Sequence, residues 1–473
     1  MSSVAATISG QLPRLLVLAG LGSLCVLLGL LAGADPALGL QATVAAAFVL
    51  VTIVNLTAGV VLYMLIAFFE PGALVGPLIA AAVLLAISWF ARVSTTSGSQ
   101  TRTLAADHPT AIYALALLIA WGVVSFNWAE QTGDAVQDLA RYLINFGLFV
   151  IVYTAAHTRR EVAWLIGGFV LGAAATSVYG LVVQPEVGLP AEAFRFSGGL
   201  GDPNVLAAVL IAGVALAAGG AAAMRRYPLV RLGCAAAAGL CLFALLLTAS
   251  RGGLIALGLT LLAAPFVMGR WRLHALLGGT VIAVSVVLYF MLFASDDARE
   301  HVERATSGEL RSQESRLTIW QIGWRMVEAN PVQGVGLGNF QAASIHYVLQ
   351  PGQTPRTDRI VDTPMGAHNT YLHLFSELGV VGGVLFLAIV GFALRSALLA
   401  ARNFGRAGDL AMELMSRAVV VATIGLLAAS FFISMQSNNK FWLVLGLGPG
   451  LLAVSRSVAP AEGDDAPLAA TAR

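Results

Sequence analysis

The stretch GAHNTYLHLFSELGVVGG, residues 366–383, places two histidines and an asparagine directly before a long apolar run. An imidazole has an ordinary pKa of about 6.5, so His368 could take a proton from a substrate hydroxyl near neutral pH. His368 and His373 are five residues apart, which puts them on different sides of a helix, whereas a helical zinc pair needs closer spacing. The pattern favours a general base, or a structural histidine at a helix start, and no metal is expected.

Two arginines in short polar segments could bind phosphate. Arg195 lies in PAEAFRFSGGLGDPNVLA between two apolar runs, and Arg251 lies at the break in LLLTASRGGLIALG. The planar guanidinium matches phosphate oxygens with two parallel hydrogen bonds. Each arginine could instead be an anchor whose charged end reaches the membrane surface. The neighbouring Asp202-Pro203 pair predicts a helix start, with aspartate as the cap and proline in the first turn.

The composition determines which elements must position these side chains. Of the 473 residues, 58% are hydrophobic and 11% charged, and the mean hydropathy is +0.82, whereas soluble domains carry about 25% charged residues. Apolar runs long enough to cross a bilayer recur along the chain. They predict an all-α polytopic membrane protein with about 14, alternatively 12, transmembrane helices. The uncertainty concerns residues 38–69, where Asn55 and Gly59 mark a possible break. No basic run is interleaved with aromatics, so no nucleic-acid partner is expected.

The arginines predict the orientation of these helices. With both termini in the cytoplasm, most arginines of the short loops lie inside, and the short outside loops carry mainly acids. This orientation puts Arg195, Arg251 and His368 on the outer face, which favours a site for a phosphate-bearing lipid. The predicted organisation is N-terminal transmembrane helices over residues 1–105, central helices over 106–293, a large outside loop over 294–372, C-terminal helices over 373–456 and a disordered cytoplasmic tail over 457–473.

The large loop contains two further motifs. SQESRLTIWQIGWRMVEANP predicts an amphipathic helix, and its tryptophans suggest plain packing or a position at the membrane interface. The apolar residues that recur at helical spacing are Leu317, Trp320, Trp324 and Met326 or Val327. QGVGLGNF, residues 333–340, matches part of a glycine-rich phosphate fingerprint, but no strand precedes it. A tight turn is therefore predicted there.

Four motifs in this order resemble the O-antigen ligase and polymerase family over residues 110–455. They are RFSGGLGDPN, TASRGG, RLTIWQIGWRMVEANPVQGVGLGNF and HNTYLHLFSELGVVGG. The last shows His-Asn, nine residues, Gly379, two residues and Gly382. The resemblance implies a C-type glycosyltransferase architecture in the bacterial inner membrane. It implies an inverting transfer of a glycan from undecaprenyl diphosphate to an acceptor sugar hydroxyl at the periplasmic face, without a cofactor.

The resemblance also implies roles for individual residues. By motif match, His368 would be the general base, and Arg195 and Arg251 would hold the diphosphate. The secondary candidates are Asn369, which would orient His368 or an acceptor hydroxyl, Tyr371, which would stack on a sugar, and Arg316, which would make a further phosphate contact.

Three classes of function are compatible with these patterns. An O-antigen ligase would use the lipid A core as acceptor, and a polymerase would use another lipid-linked glycan. A flippase or transporter of lipid-linked sugars is the second class, although the polar residues cluster on one face rather than at mid-membrane. A membrane scaffold is the third, but it would not need outward arginines and the histidine motif. The expected partners are the lipid-linked donor, the glycan acceptor and membrane lipid.

Overall fold

A computed structural model describes residues 20, 22–69, 75–95, 102–183, 196–292, 311–348 and 366–457. Within these ranges every regular element is a helix. The helices are α1 Gly22–Ala34, α2 Pro36–Val54, α3 Leu56–Ala67, α4 Val75–Thr95, α5 Leu104–Asp107, α6 Pro109–Val124, α7 Thr132–Ala155, α8 Arg159–Val182, α9 Pro203–Ala223, α10 Pro228–Leu247, α11 Arg251–Met268, α12 Arg272–Leu292, α13 Arg311–Ala329, α14 Phe340–Val348, α15 Thr370–Arg406, α16 Leu410–Ala429 and α17 Asn439–Arg456. The predicted tail lies, apart from residue 457, outside the described residues.

Nine described segments are long and apolar enough to cross a membrane, judged by length and composition. One of them, Arg251–Leu292, is a helical hairpin of α11 and α12. The chain reverses at Gly269, whose φ is +55°, and a Cβ at Gly279 would lie 3.9 Å from Leu261 on the other arm. The predicted all-α polytopic membrane fold is confirmed. The number of spans, the large loop and the orientation stay predictions.

The uncertain region 38–69 forms two helices rather than one. Asn55 separates α2 from α3, and its side-chain Oδ1 accepts a hydrogen bond of 3.0 Å from the Ala58 backbone N–H. Short polar side chains satisfy the free N–H groups at a helix start in this way. The chain turns sharply there, because a Cβ at Gly59 would lie 3.0 Å from the Thr52 Cα. The break that the sequence predicted at these two residues is therefore present.

Helix α9 forms the centre of the bundle and packs against α10 and α16. Its sequence is rich in alanine and glycine, and small residues let helix backbones approach closely. A Cβ at Gly219 would lie 2.2 Å from the Ala418 side chain, so that position has room only for hydrogen. Helix α10 instead exposes large apolar side chains such as Leu229 and Leu232. Such surfaces suit contact with lipid, whereas α9 suits the protein interior.

The N-terminal ends of α9, α11, α15 and α17 lie together at one end of the bundle, here called the site end. The Ser250 hydroxyl before α11 donates to Asn204 Oδ1 in α9, at 2.8 Å. The Thr370 backbone N–H in α15 donates to the Ser430 carbonyl, at 2.8 Å, in the connection between α16 and α17. Gly252 in α11 packs on Phe432 in the same connection. Four helix starts therefore share one region.

A buried carboxylate ties the opposite end of the bundle together. Glu413 in α16 is 1% exposed and forms ion pairs with Arg417, at 3.0 Å, and with Arg270 in the turn of the α11–α12 hairpin. Arg417 also donates to the Val267 carbonyl. A buried carboxylate is stable only when opposite charges and hydrogen bonds compensate for its lost hydration. These contacts fix the hairpin to α16.

Candidate functional site

The site is built first on the facing starts of α9 and α11. Asp202 caps α9 by accepting from the backbone N–H groups of Asn204, at 2.7 Å, and Val205, at 3.2 Å, and Pro203 occupies the first turn. Ser250 caps α11 by accepting from the Gly253 backbone N–H, at 3.2 Å. The Ser250–Asn204 hydrogen bond joins the two caps. Arg251, the first residue of α11, is thereby placed beside the N-terminus of α9.

Arg251 has an unused hydrogen-bond donor. Its Nε atom is buried and has no hydrogen-bond partner among the described residues. Buried polar groups in native proteins almost always have a partner, so an exception calls for an explanation such as a ligand. A phosphate oxygen is a suitable partner for a guanidinium N–H. Arg251 can therefore bind an anionic ligand at the site end.

His368 is held immediately before α15. The carbonyl of the preceding residue, Ala367, accepts a hydrogen bond of 3.0 Å from the Trp320 indole N–H in α13. On the other side Asn369 caps α15, its Oδ1 accepting from the backbone N–H groups of Tyr371, at 3.0 Å, and Leu372, at 3.1 Å. Hydrogen bonds thus hold the residues on both sides of His368, and they fix the position of the backbone from which the imidazole extends.

Backbone strain coincides with the two predicted site segments. Among the described residues, only Ala249 and His368 adopt a positive φ without being glycine, each at +46°. This conformation costs a residue with a Cβ roughly 1–2 kcal/mol. Such strain persists where surrounding contacts impose it, and it clusters at functional sites. Ala249 lies two residues before Arg251, so both outliers support functional roles for these segments.

Charged groups from three parts of the chain meet beside His368. Burial lowers the pKa of Arg316 in α13, nearby Arg251 lowers it further, and Asp202 acts in the opposite direction. Burial also lowers the pKa of His368, Arg316 lowers it further, and Asp202 opposes them. Arg316 is therefore within electrostatic reach of Arg251 and Asp202, and His368 is within electrostatic reach of Arg316 and Asp202. The neutral imidazole, which is the form that can accept a proton, is favoured near neutral pH.

The structure brings together some of the predicted site residues and leaves others apart. Arg195 lies outside the described residues. Arg251, Arg316 and His368 converge, and Asn369 serves as a helix cap. The Tyr371 hydroxyl donates to the Leu427 carbonyl, at 2.8 Å, and its ring centroid lies 4.6 Å from that of Phe431. These contacts account for the position of Tyr371 without a sugar.

Asp202 also belongs to this cluster, although the sequence predicted only that it caps a helix. It caps α9 as predicted, but its carboxylate also acts on both Arg316 and His368. The available signal was its position, since it follows Arg195 in the same short segment between two apolar runs. Its negative charge partly offsets the repulsion between the two nearby arginines, Arg251 and Arg316.

His373 has a different environment from His368. Its Nε2 forms a buried ion pair of 3.1 Å with Glu377 on the same helix. Its ring stacks on Phe340, with centroids 5.3 Å apart, and Glu377 Oε1 accepts from the Phe340 backbone N–H, at 3.0 Å. His373 therefore fixes α14 to α15, as expected of a neighbour rather than a base.

The QGVGLGNF segment forms the predicted tight turns and is clamped onto α15. The backbone N–H groups of Val335 and Gly336 donate to the carbonyls of Ser376 and Glu377, each at 2.9 Å. Three glycines of the segment have positive φ: Gly334, Gly336 and Gly338. This register positions α13 and α14 relative to His368.

Replacing Gly379 by alanine is expected to destabilise this clamp. Gly379 has φ +62° and ψ −164°, a region open only to glycine, so the backbone alone should cost about 1–3 kcal/mol. The new Cβ would also lie 2.1 Å from the Val332 carbonyl oxygen. The thermal midpoint of the purified protein in detergent measures the loss. Gly391→Ala in the same helix is the control, since nothing lies within 4 Å of a Cβ there; equal midpoints for the two variants would contradict the prediction.

The predicted amphipathic helix is present as α13, and only part of its apolar pattern is buried. Its buried side consists of Ile319, Ile322 and Met326, which are at most 2% exposed. Leu317 and Trp324 are instead more than half exposed, at 52% and 58%. Plain packing within the chain therefore accounts for Met326 but not for Leu317 and Trp324, and the position of the tryptophans at the membrane interface stays a prediction. The spacing was helical, but two adjacent apolar stripes compete on this helix, and only tertiary contacts select one.

Within the described residues, no three histidine, cysteine, aspartate or glutamate side chains are grouped so that they could hold a metal ion. The arrangement instead offers guanidinium groups for an anion and an imidazole that can accept a proton. The expectation that the reaction needs no metal stays a prediction.

Part of the chain matches a known protein family. Residues 236–387, from within α10 to within α15, match the family model described as O-antigen ligase. No curated protein matches the chain. The matched region contains Arg251, Arg316 and His368, whereas Asp202 and Arg195 lie before it.

Proposed function

We propose that this chain, whose residues 236–387 match the O-antigen ligase family model, is an O-antigen ligase that uses undecaprenyl diphosphate as the glycan carrier. The family supports glycan transfer of the ligase or polymerase type in a multi-pass membrane protein. The proposal adds the lipid A core as acceptor and the periplasmic face of the inner membrane as the location. The observation that carries it is the cluster at the site end, in which Arg316 and Asp202 lie within electrostatic reach of His368, and Arg251 lies within electrostatic reach of Arg316.

The proposed reaction is a direct displacement. An acceptor hydroxyl oxygen attacks the anomeric carbon of the donor sugar, and its proton passes to the neutral imidazole of His368. The bond between the anomeric carbon and the diphosphate oxygen breaks, and its electron pair leaves with undecaprenyl diphosphate. Arg251 and Arg316 stabilise the negative charge that develops on that group. Attack from the opposite side inverts the anomeric centre.

Each side chain has a separable task in this scheme. Arg251 offers a buried Nε donor that has no hydrogen-bond partner in the described part of the chain, which suits a charge that grows during the reaction. Asp202 limits the mutual repulsion of the arginines and partly restores the basicity of His368. Arg195 is proposed as a further diphosphate ligand on the strength of its motif alone.

A deletion strain examined on a polysaccharide gel tests the proposed function. For a ligase, we expect long glycan chains that stay on the lipid carrier, together with bare lipid A core. Core capped with a single repeat would identify a polymerase, which shares the chemistry but uses another acceptor. Loss of long chains without any transfer by the purified protein would favour a flippase. Restoration by the plasmid-borne gene, but not by its His368→Ala variant, is the matched control.

A further inference from the structure

An open cleft runs along the side of α13 that faces away from its buried stripe. Its volume is about 470 Å³. The lining residues are Leu317, Trp320, Gln321, Trp324, Arg325, Glu328, Asn369 and Leu372. It combines two indole rings with amide and charged side chains, and it reaches Asn369, the residue that follows His368. The proposed reaction assigns no role to this surface.

Both tryptophans of the cleft are fixed by hydrogen bonds from their indole N–H groups. Trp320 Nε1 donates to the Ala367 carbonyl, at 3.0 Å, and Trp324 Nε1 donates to Glu328 Oε1, at 2.6 Å. Their polar atoms are therefore satisfied within the chain. Trp324 is nevertheless 58% exposed, so a large apolar ring surface is held in a defined orientation and is open to a ligand.

The polar side chains around the rings indicate what kind of ligand fits. Gln321 and Glu328 are exposed, and Arg325 is partly tied down by a hydrogen bond of 3.0 Å from its Nη1 to the Tyr347 carbonyl. A hydrocarbon chain would leave Gln321 and the remaining donors and acceptors of Arg325 and Glu328 unsatisfied, at a cost in free energy. A pyranose has apolar C–H faces that cover an indole and hydroxyls at its rim that pair with amides, carboxylates and guanidinium groups.

We propose that this cleft binds the saccharide of the acceptor and presents its hydroxyl to His368. The assignment to the acceptor rests on the proposed function. Arg251 and Arg316 at the site end would take the diphosphate of the donor, so the approach to His368 beside Asn369, which the cleft reaches, is left for the attacking sugar. Trp324 is then a specificity-determining contact two helical turns along α13 from Arg316.

Replacing Trp324 by leucine tests the cleft, because leucine keeps an apolar side chain but removes the ring. The acceptor KM should rise about tenfold, whereas kcat and the donor KM should stay unchanged. Trp324→Phe should recover most of the loss, since it retains an aromatic face. The control is Trp164→Leu in α8, an exposed tryptophan whose ring packs under Arg160, 4.6 Å away, and which does not line the cleft.

A binding measurement separates this proposal from the proposed function. The probe is core oligosaccharide released by mild acid from the surface glycolipid of the source bacterium. It is titrated against intact detergent-purified protein by calorimetry. Wild type and Trp164→Leu should bind it, and Trp324→Leu should bind about tenfold more weakly. Binding without any transfer by the wild type would refute the ligase assignment and leave the saccharide cleft standing.

Three results would overturn the assignment of the cleft. Equal oligosaccharide affinity in wild type and Trp324→Leu would show that the ring makes no contact with the sugar. A rise in the donor KM, with the acceptor KM unchanged, would place the donor glycan there instead. Loss of fluorescence quenching by nitroxide-labelled lipid in Trp324→Leu, relative to wild type, would show that the ring faces the bilayer.

Discussion

Purified His368→Ala protein is expected to lose glycan transfer by a factor of about 10²–10⁴ in kcat, the usual contribution of a general base. The lipid-linked donor should still bind, because the arginines at the site end are unchanged. Transfer is measured with donor and acceptor in detergent, and donor binding is measured separately by calorimetry. The physical reason for the lower kcat is that, without the imidazole of His368, the attacking hydroxyl can lose its proton only to water.

A second histidine provides the control for this variant. His346 in α14 is exposed, and its Nε2 lies 3.0 Å from Glu130, so His346→Ala removes the same side chain without touching the cluster. That variant should retain wild-type kcat. If His368→Ala transferred glycan as fast as His346→Ala, the assignment of the base would fail.

The pH dependence of the wild type gives independent evidence on His368. Burial and Arg316 lower its pKa below the ordinary value of 6.5. A lowered pKa means that the imidazole stays neutral at more acidic pH. As the pH is lowered, kcat/KM should therefore stay constant through pH 6.5 and decrease only when the pH approaches the lowered pKa of His368. Replacing Arg316 with glutamine should move that acid limb upward. An unmoved limb would argue that a different group titrates.

Arg251→Lys is expected to reduce kcat/KM about 10- to 100-fold, although the positive charge is kept. Lysine presents a single ammonium group and cannot reproduce the planar fork that binds two phosphate oxygens. The buried Nε donor of Arg251, which has no hydrogen-bond partner among the described residues, would be lost as well. Arg251→Ala should be more damaging, by about 10²–10³-fold, because the charge is removed too.

The matched control is Arg231→Lys in α10, an exposed arginine away from the site end. It should leave kcat/KM unchanged, which separates the loss of a guanidinium at the site from a general effect on the membrane protein. A ³¹P-detected titration with undecaprenyl diphosphate would then report diphosphate binding directly. Wild-type binding and turnover in Arg251→Lys would mean that the guanidinium geometry plays no part.

Local chemistry made much of this molecule predictable. Apolar runs separated by polar residues predict helices and their ends, because the helices must satisfy their backbone hydrogen bonds internally in lipid. The caps formed by Asn55, Asp202 and Ser250 occur where the sequence places short polar side chains before apolar runs. Capping needs only atoms within a few residues, so it can be read without knowing the fold.

Other features were decided only when the helices packed. Helical spacing in α13 gave two possible apolar stripes, and packing buried Ile319 while leaving Trp324 exposed. The sequence could not show that the ring of His373 stacks on Phe340, because that contact joins residues far apart in the chain.

The sequence by itself determined the helices, their breaks and the residue types available for chemistry at the site end. Only the tertiary structure brought Asp202 and Arg316 to Arg251 and His368, and only it imposed the strained backbone at Ala249 and His368. Helix formation and capping are short-range and follow local residue order. The electrostatic cluster arises because separate helix starts converge, and such convergence depends on how whole helices pack.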